Sequence, residues 1–204
     1  TLALVGSHLM AGADTLAVLW YLPPTPLHQV CGHLVGVAGQ QDILLCIVPG
    51  LSWPMWRHMQ AQNVDTGLLV DMLTAALYEP QDADILPRLP AGGMVVTSQP
   101  ATLARGVQRI MVRDYDNDGD VDAEVYGAAL PRLDEAAGSV AVLFGSLADV
   151  QREHGAFSHE AVEQARRDCV RIADLATHWG GNAYIIGLPG DCGPDARHRF
   201  IAAW

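Results

Sequence analysis

At a free N-terminus, Thr1 would carry a hydroxyl nucleophile and an α-amine on one residue. The amine's ordinary pKa of about 7.7–8.0 leaves much of it unprotonated near neutral pH, so one residue can supply both nucleophile and base. A second group of chemistry-bearing residues is the run Asp114-Tyr115-Asp116-Asn117-Asp118-Gly119-Asp120-Val121-Asp122. Carboxylates at alternate positions can converge on one hard cation, and the glycine permits the sharp bend such a loop needs. Asp114, Asp116, Asp118, Asp120 and Asp122 are the candidate calcium ligands. Val125 stands at the twelfth loop position, where a helix-loop-helix calcium site needs a bidentate acid, and the sequence shows no helix on either side. The same run also reads as a hairpin tip in which Asp, Asn and Gly supply turn geometry. His28, Cys31 and His33 have metal-like spacing but no partner pair downstream, which favours a structural role.

Composition narrows the classes. The chain has 204 residues, half of them apolar, and a net charge of −11. That length suits one domain, 1–204, with a substantial core. All 12 basic residues are arginine and no basic stripe is present, which argues against nucleic acid. No apolar run reaches the roughly 18 residues needed to cross a membrane, and no leader or lipidation motif is evident, so a cytoplasmic address is expected. Four cysteines, at 31, 46, 169 and 192, form no CxxC pair and are expected to be reduced.

The elements that must position these residues read as strands, helices, strands, helix, strand. Residues 1–6 and about 8–22 are rich in Leu, Val, Ala and Trp and read as β. Residues 33–39 read as a short strand ending in Gly39. The pattern after Asp42 reads as helical, interrupted near Pro49–Pro54. A second helix is expected over 65–79, capped by Asp65 or Thr66, with Leu68, Leu69, Met72, Leu73, Ala76 and Leu77 at helical spacing. Residues 94–97, 109–113, 121–126, 139–144 and 182–187 read as strands. Ser158 caps a long helix whose stripe is Val162, Ala165, Cys169, Ile172, Ala173 and Ala176, and Gly180-Gly181 stops it. Two helices between two strand groups, with a further helix after the second, suggest an α+β fold: two antiparallel sheets flanked by helices.

This order resembles the β-subunits of the proteasome and their bacterial relative, the peptidase of the two-component ATP-dependent protease. The segments that carry the resemblance are Thr1 with its alternating apolar residues, Ser7–Asp14, His33–Gly39, the helix at 65–79, Phe144-Gly145-Ser146, and the helix 159–179 with Gly180–Ile186. The resemblance implies a four-layer αββα sandwich of the N-terminal-nucleophile hydrolase type. It also implies a threonine peptidase with Thr1 as nucleophile, Asp14 orienting it, the Gly39 N–H as oxyanion donor, and Val37 and Gln41 lining the substrate pocket. The implied partners are a peptide or unfolded protein substrate, a homo-oligomeric ring and an ATP-dependent unfoldase, with no required cofactor. The family's catalytic lysine has no counterpart, because the sequence contains no lysine. Other readings stay open: an inactive ring subunit of the same fold, a calcium-binding module built on residues 114–122, and an α/β enzyme using the strand-end Gly145-Ser146, which lacks a nucleophile-elbow pattern.

Overall fold

The computed structural model describes residues 25–26, 34–68, 72–77, 86–114, 119–188 and 198–203. Its strands are β1 (Thr25–Pro26), β2 (Leu44–Pro49), β3 (Met72–Leu77), β4 (Met94–Thr97), β5 (Gln108–Met111), β6 (Val140–Leu143), β7 (Ala183–Leu188) and β8 (His198–Ala203). Its longer helices are α1 (Trp53–Ala61), α2 (Val121–Leu133), α3 (Ser146–His154) and α4 (His159–Trp179). The eight strands among the described residues lie in one sheet, in the order β1-β3-β8-β7-β2-β6-β4-β5.

The expectation of two antiparallel sheets in an α+β sandwich is overturned. The five strands β7-β2-β6-β4-β5 are parallel throughout. Only β8 runs antiparallel, to both β7 and β3. This is an α/β fold. The physical reason is visible in β2, where Leu44, Leu45, Cys46, Ile47 and Val48 are all buried. A strand covered on both faces is a continuous apolar run, and in parallel sheets such runs sit in the middle. Leu44, Cys46 and Val48 face a core shared with all four helices. Leu45 and Ile47 face a second core with Leu34, Leu86 and Leu89.

Several local readings change with the fold. Residues 34–38 are helical, not a strand. The segment after Asp42 is strand β2, not a helix. Residues 72–77 are strand β3, paired with β1 and β8, where a helix was expected. Asp65 and Thr66 cap no helix; their side chains accept from Gly67 N–H at 3.0 Å and Leu68 N–H at 3.4 Å, closing local turns. Residues 121–126 belong to α2, whose buried Val125, Ala129 and Leu133 recur every four residues. Over six residues that spacing is hard to tell from strand alternation.

The last helix follows its sequence signals closely. Ser158 accepts the Ala161 N–H at 3.1 Å. Gly180 ends α4 in the left-handed conformation at φ 63°, with its N–H bonded to the Ala176 carbonyl. Cys46 and Cys169 are free, buried thiols, and burial pushes the Cys46 pKa to about 12. They are therefore unreactive thiols of the core. Among the described residues, no helix is long and apolar enough to cross a membrane.

Candidate functional site at the carboxyl edge of the parallel sheet

The connection leaving β4 runs outward to its neighbour β5, whereas the connection leaving β6 runs the other way, past β2 to β7. Where neighbouring strands of an open parallel sheet send their connections in opposite directions, a crevice opens at their carboxyl ends. By that rule the crevice belongs between Thr97-Ser98-Gln99 at the end of β4 and Phe144-Gly145-Ser146 at the end of β6. Buried Thr97 fixes the first wall, since its hydroxyl accepts the Gln99 N–H at 2.9 Å and donates to the Gln99 carbonyl at 3.1 Å. The Gln99 amide then lies against Gly145, where a Cβ would overlap it. The bare backbone of Gly145 lets the Gln99 amide approach this closely.

Residues 119–122 connect the region after β5 to the start of α3. Asp114, at the end of β5, accepts the Gly119 N–H at 3.2 Å. Gly119 takes φ 84°, a conformation that favours glycine. Asp122, in the first turn of α2, is fully buried and accepts two backbone donors: Gly145 N–H at 2.7 Å and Ser146 N–H at 2.8 Å. These lie at the start of α3, where the helix dipole favours an anion. Burial pushes the Asp122 carboxyl pKa up, and the two N–H groups work against that rise.

Behind Asp122 lies a second carboxylate group on α4. Asp168 is fully buried; its Oδ1 receives Gln164 Nε2 at 2.9 Å and Arg171 Nη1 at 3.3 Å, and its Oδ2 has no hydrogen-bond partner. Burial, reinforced by the nearby Asp122 charge, pushes its pKa well above the ordinary carboxylate value. Asp120 behaves in the opposite way. Burial raises its pKa, but bonds from Arg171 at 2.7 and 2.9 Å, together with Arg167 at 3.2 Å, outweigh it and hold the carboxyl below its usual range. Three carboxylates beside one arginine are thus driven apart in acidity by their surroundings.

This gives a signed prediction. The folded chain holds the Asp168 proton at a pH where the unfolded chain has released it. The associated stability is fully present below the ordinary carboxylate value of about 3.9 and is lost as pH rises through the higher folded value. Asp168→Asn removes that titration while an amide oxygen can still accept from Gln164. In urea unfolding from about pH 8 down to about pH 4.5, the wild-type protein should gain stability more steeply than the Asn variant. Parallel pH profiles would show that Asp168 does not titrate in this range.

The structure separates the residues singled out from sequence. Thr1, Asp14, Asp116, Asp118 and the group His28, Cys31, His33 lie outside the described residues. Gly39 follows the helical turn 34–38, and its N–H bonds the Val35 carbonyl at 3.0 Å. Half-buried Val37 accepts the N–H of exposed Gln41 at 3.0 Å in the same local turn. With a single sheet in place of a two-sheet sandwich, the peptidase assignment loses the scaffold on which those roles depended. The five loop aspartates are not brought to one point either: Asp120 turns to the α4 arginines and Asp122 to the start of α3. Among the described residues, no group of three His, Cys, Asp or Glu could hold a metal.

Sequence reasoning missed Gln99, Gln164, Asp168 and Arg171. One signal was available for Asp168: it falls between Ala165, Cys169 and Ile172 on the buried face of α4, and a charge on an apolar stripe needs a partner. No family model matches the chain, and no curated protein matches it.

Proposed function

We propose that this chain is a ligand-binding α/β domain that holds a hard divalent cation of the calcium class on its acidic loop, beside the crevice at the carboxyl edge of the sheet. The observation that supports this most directly is the route of the chain. β4 lies between β5 and β6 in the sheet. The segment leaving β5 at Asp114 is fastened by Asp122 to the start of α3, behind β6. Residues 119–122 therefore span from the region after β5 to the start of α3, on the carboxyl side of the sheet where open parallel sheets accept ligands.

The loop's chemistry supports a cation. Asp114 and Gly119 close the bend, and Asp116 and Asp118 lie between them in sequence. Three alternate carboxylates in so short a stretch repel one another, and an oxygen-seeking cation relieves that repulsion. Asp120 and Asp122 serve as anchors at the exit of the loop, not as ligands. A cation held there would leave coordination positions for oxygen atoms of a ligand in the crevice, so carboxylate- or phosphate-bearing small molecules are the matching class.

Calorimetric titration of chelator-treated protein with calcium tests the reading. Binding is expected in the micromolar to millimolar range, weakened about tenfold or more by Asp114→Asn. Absence of heat up to about millimolar calcium, or equal affinity in the variant, would overturn it.

A further inference from the structure

The edge strand β5 carries a second surface, independent of the acidic loop. Among the described residues β5 pairs only with β4. Gln108 N–H and Val112 N–H bond the Gly93 and Thr97 carbonyls of the β4 side. Since a residue's N–H and C=O point the same way in a strand, those of Arg109 and Met111 point out from the sheet edge. A groove of about 370 Å³ runs along that edge. It touches three successive residues at the end of this edge strand, Ile110, Met111 and Val112. Its other wall is α2, where Glu124 and Arg132 offset each other in charge and the bare backbone of Gly127 leaves open space. Met111 is 47% exposed, the highest value among the exposed large apolar side chains of the described residues.

Charge identifies the occupant. The chain as a whole is strongly acidic, yet Arg105, Arg109 and Arg113 are all exposed along this edge, and none forms an ion pair among the described residues. Arg109 makes one hydrogen bond, to the Ala101 carbonyl. We infer that β5 accepts an extended acidic peptide as an added strand, with carboxylates at alternate positions meeting Arg109 and Arg113 and apolar residues on its other face entering the groove. The backbone ladder supplies affinity and the alternating side chains supply selectivity. A nucleic acid strand fits less well, because no aromatic side chain stands among the groove's lining residues to stack a base.

Fluorescence anisotropy with a labelled peptide of about eight residues alternating glutamate and valine tests this against the same peptide with lysine for glutamate. The glutamate peptide should bind, and the lysine peptide should not. Met111→Pro removes an outward N–H without touching the β4 ladder, a change that edge strands tolerate. It should weaken binding about tenfold or more. The double variant Arg109→Glu, Arg113→Glu should do the same and keeps the test decisive if the proline variant misfolds. Failure of the glutamate peptide to bind, equal binding of both peptides, or unchanged binding in both variants would overturn the proposal. So would a wild-type dimer, seen by sedimentation, that either variant converts to monomer, since that assigns the edge to a second copy of this chain.

Discussion

Asp122→Ala should destabilise the folded chain by about 3 kcal/mol. The side chain is fully buried and its two oxygens are the acceptors for Gly145 N–H and Ser146 N–H. Truncation leaves two buried donors at the first turn of α3 without a partner, each costing about 1–3 kcal/mol. Relief of the buried charge acts in the other direction, which keeps the expected loss below the upper end of that range. The loss is structural in a specific sense, since this one carboxylate ties the start of α2 to the start of α3. Asp122→Asn keeps one acceptor and should lose about half as much. Urea unfolding of the two variants checks this. An alanine variant within about 0.5 kcal/mol of wild type would mean that the carboxylate does not anchor α3. If the acidic loop holds a cation, the alanine variant should also bind calcium more weakly, because the loop's exit is no longer fixed.

Gly50→Ala should cost about 3 kcal/mol for a different reason. Gly50 ends β2 at φ 94° and is buried. Its N–H bonds the Leu188 carbonyl at 3.1 Å, and its own carbonyl receives Gln151 Nε2 at 2.9 Å. An added Cβ would lie 2.7 Å from Gln151 Oε1, 3.0 Å from Leu147 Cγ and 3.2 Å from the Ala148 backbone nitrogen. The Gln151 side chain can swing away only by giving up its bond to Gly50, and the α3 backbone cannot move without shifting the helix. The left-handed backbone contributes about 1–2 kcal/mol and the crowding about 1–3 kcal/mol. Gly92→Ala separates the two effects: Gly92 has φ 90°, but a Cβ there meets nothing within 4 Å. It should cost only about 1 kcal/mol. Equal losses in the two variants would assign the whole effect at Gly50 to backbone strain and none to α3.

Both substitutions act where β2, β6 and the helices that follow them meet, and that junction was only partly legible in the sequence. The glycine-serine pair after β6 stood out, as did the aspartate run. Their relation did not, because Asp122 finds its donors 23 and 24 residues away. Arg171 reaches Asp120 from 51 residues away. Alternate aspartates look alike in a sequence, yet two of the five are structural anchors. That division depends on which helix end and which arginine the fold brings beside each one.

The same contrast holds for the fold. α4 was legible from Ser158 to Gly180 because its signals are local: a side-chain cap, a repeating apolar face and a left-handed glycine stop. The strands at 94–97, 140–143 and 183–188 were legible within a residue or two, since each is a short apolar run beside turn-forming residues. β2 and β3 were misread as helical, since a short apolar run satisfies a strand and a helix equally. The sequence by itself determined where the chain breaks, where its last helix starts and stops, and that acidic residues gather near 114–122. Only the tertiary structure decided that the strands join in one largely parallel sheet, that Gly39 closes a helical turn, and that the Asp122 side chain, from α2, anchors the start of α3. Strand direction and partner are set by how helices pack across the sheet, and no local pattern of residues carries that information.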